Sequence, residues 1–105
     1  MPTNIASLQS RLSLPLIAAP MFLVSGVDLV SEACASGVIG SFPTVNCRSS
    51  DELDAWLADI ALRAARASEA SGAASAPWCA NLVVHRSNGR LMDDLGVLLR
   101  HDPEI

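Results

Sequence analysis

Leu16, Ile17, Ala18 and Ala19 form an unbroken apolar run fenced by Pro15 and Pro20. A run this short and this sharply bounded has room for one strand covered on both faces. The next segment decides the architecture. Ser25 with Asp28 three residues on resembles a capping box, and it predicts a helix through about Ser36 with Leu29, Val30, Ala33 and Cys34 as the apolar stripe. Gly37 closes that helix in the usual C-terminal way. Val38 to Phe42 is a second apolar run ended by Pro43, and Gly40 inside it implies that something packs close to the backbone.

The alternation then repeats. Ser49 and Glu52 frame a helix from Asp51 to about Ser68, with acidic residues in its first turn and Arg63 and Arg66 near its other end, as the macrodipole prefers. Leu53, Trp56, Leu57, Ile60, Ala61 and Ala64 recur on one side of it at helical spacing. The small-residue stretch 70–77 reads as a surface loop. Cys79 to Val84 is a third strand interrupted by Asn81, a buried amide that must find a hydrogen bond or cost on the order of 1–3 kcal/mol. Ser87 or Asn88 caps a last helix through about Arg100, with Leu91, Leu95, Leu98 and Leu99 inward, and Asp102-Pro103 stops it. Strand then helix, three times over, predicts an α/β fold of parallel strands joined by right-handed crossovers.

Composition removes several function classes. The chain has 105 residues, so it holds one modest core and a single domain. Its net charge is −4 and it has no Lys, leaving no basic run to track a phosphate backbone. Nucleic acid is not an expected partner. No apolar run approaches the roughly 20 residues of a membrane span. Met1-Pro2-Thr3-Asn4 has none of the features of a secretory signal, so the cytoplasm is the expected location. Cys34, Cys47 and Cys79 are widely spaced with no C-x-x-C pair, which argues against disulfides and against a metal site. They read as small buried hydrophobes.

Three segments carry a family resemblance. Leu14-Pro15-Leu16-Ile17-Ala18-Ala19-Pro20-Met21, Gly37 to Thr44 and Asn81 to Asn88 together resemble the N-terminus of the nitronate monooxygenases, FMN-dependent barrel enzymes once called 2-nitropropane dioxygenases. The resemblance runs from about Leu14 to the end. It implies that residues 1–105 are the first three βα units of one FMN-binding (β/α)8 barrel domain, truncated before strand four, because a whole barrel takes about 250 residues. Such an arc keeps open sheet edges and uncovered inward faces, and pairing of copies through those edges is expected.

In that family a Pro-Met or Gly-Met pair lies against the flavin. Carried over, Ala19, Pro20 and Met21 become FMN contacts, and Asn81, here in Ala80-Asn81-Leu82, meets the polar pyrimidine edge of the ring. Phe42, Pro43 and Thr44 would line the same mouth. No catalytic residue is assigned. The family's catalytic His belongs to a His-x-Gly-Gly-like motif on a later strand, which His85-Arg86-Ser87-Asn88 does not match, so His85 reads as a loop residue and this chain alone as inactive. The implied chemistry is oxidation of an alkyl nitronate with O2 to a carbonyl compound and nitrite. Two alternatives stand beside it: another FMN barrel, such as an enoyl reductase or an NAD(P)H:quinone reductase, and a non-catalytic α/β module that pairs through its edges.

Overall fold

A computed structural model describes residues 4–105; Met1–Thr3, the head of the stretch read for a secretory signal, lie outside the described residues. The three apolar runs become β1 (Ile17–Ala18), β2 (Ile39–Pro43) and β3 (Trp78–Asn81), a parallel sheet in the order β1-β2-β3. Ala18 stands opposite Gly40, Gly40 opposite Trp78 and Pro43 opposite Asn81. A helix comes after each strand: α2 (Val27–Ala35), α3 (Ser50–Ser71) and α4 (Leu91–Arg100). Ahead of them lies a helix that the sequence pattern does not announce, α1 (Ile5–Gln9), started by Asn4, whose side chain accepts the Ser7 N–H at 2.7 Å. The result is a mixed α/β unit with an open, three-stranded parallel sheet.

Local signals fix most helix ends. Gly37 takes φ 83° just past α2, where its N–H reaches the Cys34 carbonyl at 3.1 Å and the Val38 N–H reaches Ala33 at 3.0 Å. This pair of bonds is a Schellman ending, and it needs the left-handed residue that glycine supplies. Ser49 caps α3 by accepting the Glu52 N–H at 3.1 Å, while the Glu52 carboxylate reaches back to the Arg48 N–H at 3.3 Å. This helix runs on to Ser71, past the expected end near Ser68, because the Ala-rich row keeps its helical preference until Gly72.

Other boundaries move for physical reasons. Gly26 caps α2 in place of Ser25, whose hydroxyl is committed to the preceding loop. The third strand stops at Asn81 rather than Val84, because β2 ends at Pro43 and turns away through a 3-10 turn at Thr44–Asn46, leaving Leu82 onward no ladder partner. The first strand keeps only Ile17 and Ala18, and it is not covered on both faces: Ile17 is 53% exposed. Cys79 is half-buried and Asn81 exposed on the same side of the sheet by strand alternation, so that face is partly open. In α4 the inward set is Asp94, Val97 and Leu98, with Leu99 exposed.

The core lies between the sheet and its helices, where Phe42, Val30, Leu53, Leu57 and Ile60 are buried. Gly40 is the point of closest approach. A Cβ there would stand 2.5 Å from the Val30 carbonyl oxygen and 2.9 Å from the Val30 Cα, both backbone atoms of α2 that cannot step aside. Gly40→Ala is therefore expected to lower unfolding free energy by about 1–3 kcal/mol in urea titrations. An unchanged midpoint would contradict this packing.

Cys34 and Cys47 are buried and Cys79 half-buried, all three as free thiols. Burial pushes each of them above the ordinary thiol range, Cys47 to about 12. Protonated and enclosed, Cys34 and Cys47 serve as packing groups rather than nucleophiles. Among the described residues no helix is long and apolar enough to cross a membrane.

Candidate functional site

Because the strands are parallel, the loops leaving β1, β2 and β3 emerge at one end of the sheet. This is the end at which α/β folds gather ligands. Ala19, Pro20 and Met21 leave β1 there, all three exposed, with Met21 at 44%. Asn81 closes β3 opposite Pro43 and is also exposed, not held inside a buried strand as the apolar pattern predicts. Its amide is open to an outside partner. One strand lies between the two groups, so they stand two strand spacings apart, roughly 10 Å.

Phe42, Pro43 and Thr44 do not line this mouth. Phe42 is 0% exposed, its ring 5.6 Å from that of Trp56 at 52°, and Pro43 and Thr44 are buried. Alternation along β2 sends Phe42 to the helix side, and the 3-10 turn folds Thr44 inward. Ser41 is likewise buried, donating its hydroxyl to the Ala18 carbonyl of the neighbouring strand. His85 lies in the exposed loop after β3, where its Nδ1 accepts the Ser87 N–H at 3.1 Å.

The loop after β1 is built with unusual care. Met21 accepts from the Val24 and Ser25 N–H groups at 3.2 and 3.0 Å, and its own N–H donates to Ser25 Oγ at 2.8 Å. Within this turn Leu23 has φ 64°. Left-handed backbone costs a residue with a Cβ roughly 1–2 kcal/mol, so surrounding contacts must impose it. Asn46 supplies them. Its Oδ1 accepts the Leu23 N–H at 2.8 Å, and its Nδ2 donates to the Met21 and Ser25 carbonyls at 3.1 and 2.9 Å.

Behind Asn46 stands a charged brace. Arg90 NH1 donates to the Cys47 carbonyl at 2.6 Å, and NH2 donates to that of Thr44 at 3.3 Å and to the Asp94 carboxylate at 3.0 and 3.2 Å. Asp94 is 0% exposed and also accepts from Ser50 Oγ at 2.7 Å. Nothing in the sequence singles out Asn46, since an Asn in a turn is commonplace. Asp94 does leave a signal. It falls on the face of α4 shared by Leu91, Leu95 and Leu98, and a charge at a core position demands a partner.

An FMN ring requires an apolar surface for its face and a donor–acceptor pair for its pyrimidine edge. Ala19, Pro20 and the Met21 thioether provide the first, and the open Asn81 amide provides the second. The Met21 backbone provides no bond, because its N–H and carbonyl are already engaged within the turn. Any contact there is packing. Among the described residues there is no group of three or more His, Cys, Asp or Glu able to hold a metal ion. Comparison with protein-family models, with curated proteins and with solved structures finds no match.

Proposed function

We propose that this chain is the opening arc of an FMN-dependent oxidoreductase of the (β/α)8 barrel class resembling the nitronate monooxygenases, with Ala19, Pro20, Met21 and Asn81 on the flavin. The observation that carries this reading is the arrangement of Met21 and Asn81: both are exposed, at the same end of a parallel sheet, one apolar and one able to donate and accept. Resident FMN would supply the electron acceptor for oxidation of an alkyl nitronate. This chain's own share is to seat the ring. Ala19, Pro20 and Met21 exclude water from its face, and Asn81 orients its edge.

Expressed at full length from its own gene, the protein should purify yellow and quench FMN fluorescence on titration. Met21→Asp and Asn81→Ala should each weaken FMN binding by about tenfold, the worth of one lost contact or hydrogen bond of roughly 1–1.5 kcal/mol. A colourless protein that leaves FMN fluorescence unchanged would favour the edge-pairing α/β module instead.

A further inference from the structure

We infer that Asn46 is the positioning residue of this rim, a side chain that holds Leu23 left-handed and so fixes how Met21 is presented; its link to flavin rests on the function proposed above. Its amide makes three hydrogen bonds, both donors used, and in one sense only. Oδ1 takes the Leu23 N–H at 2.8 Å, and the two Nδ2 hydrogens go to the Met21 and Ser25 carbonyls at 3.1 and 2.9 Å. A flipped amide would set an oxygen against two carbonyls, and so would an aspartate. The side chain thus closes the loop at both ends and its middle.

The segment carrying Asn46 is fixed in turn. Arg90 grips the Thr44 and Cys47 carbonyls on either side of it, and the buried Asp94 grips Arg90. Arg90 ends the loop after β3, Asn46 lies in the loop after β2, and Met21 lies in the loop after β1. Three consecutive loops are therefore one hydrogen-bonded piece. Since the Met21 N–H and carbonyl are spent inside that piece, Met21 itself offers a ligand apolar side-chain surface only. The class of ligand this suits is a flat ring that is held by its face, with hydrogen bonding left to Asn81.

The test uses hydrogen exchange at the Leu23 amide of the unliganded protein, together with titration by lumiflavin, the ring system without ribityl phosphate. Asn46→Asp keeps an acceptor and loses both donors. It should speed Leu23 exchange and weaken lumiflavin binding, each by about tenfold, while amides in β2 and α3 keep their protection. Adding Leu23→Gly should restore lumiflavin affinity to within about threefold, because glycine adopts the left-handed turn without strain. Arg90→Lys keeps the charge beside Asp94 but cannot span two carbonyls, so it should speed Leu23 exchange in the same direction.

Unchanged Leu23 exchange in Asn46→Asp, or in Arg90→Lys if the first variant does not fold, would overturn the inference. So would protection lost evenly across the sheet with no rescue by Leu23→Gly. If the parent protein binds no lumiflavin yet Leu23 exchange still accelerates in Asn46→Asp, the positioning role stands and the flavin reading falls.

Discussion

Asp94→Ala is expected to lower the unfolding free energy by about 3 kcal/mol, at the lower end of what breaking a buried ion pair costs. The lower end applies because Arg90 keeps 30% of its side chain in water and can partly rehydrate, whereas Asp94 has no exposed surface. Three bonds lose their acceptor at once: both from Arg90 and the one from Ser50 Oγ, which ties the start of α3 to α4. For a chain of this size the loss corresponds to a fall in Tm of well over 10 °C. Asp94→Asn separates shape from charge. It keeps an acceptor for Ser50 but turns an NH2 toward the Arg90 guanidinium, so most of the loss should remain. Urea and thermal unfolding of both variants check this, and a loss below about 1 kcal/mol for Asp94→Ala would mean that the brace carries no weight.

The fold is legible where one strong local signal acts alone. Ser49, Gly37 and the apolar runs around Ile39 and Cys79 locate their elements because capping, left-handed backbone and burial are short-range demands. Sequence pattern misleads where a neighbour decides. Leu82 to Val84 are as apolar as the strand before them, yet they leave the sheet once Pro43 ends its partner. Ser25 has the right spacing to cap α2, but the Met21 N–H claims it first. Leu99 matches the helical stripe in composition and misses it in angle, so Asp94 and Val97 go inward and Leu99 stays in water.

The candidate site divides in the same way. Met21 is visible because it ends an apolar run and Asn81 because it interrupts one, although the sequence places that amide inside a buried strand and not at the strand's open end. Asn46 and Arg90 hold the neighbouring loops through contacts 21 to 46 residues away along the chain, and no local pattern encodes those; the Arg90–Asp94 pair, four residues apart, is local. Phe42 sits near a strand end, which suggests the mouth, but the two-residue period of the pleat points it to the helices.

Phe42→Ala should be at least as damaging as loss of Asp94, at about 3–5 kcal/mol. The ring is fully buried in β2 and tilted against Trp56, so truncation removes both its transfer energy and an aromatic contact with α3. Collapse cannot fill the space easily. Gly40, two residues earlier on the same face, already touches the Val30 backbone, which keeps α2 from moving closer to the sheet. The cavity should therefore persist, and Phe42→Leu, which fills part of it, should recover more than half of the loss. Were Phe42 instead part of the mouth, the ranking would reverse: unfolding would change by less than about 1 kcal/mol, and ring binding at the rim would weaken first. Urea unfolding and lumiflavin titration of the same two variants separate these outcomes. A stable Phe42→Ala protein with impaired ring binding would return this aromatic to the site and remove it from the core.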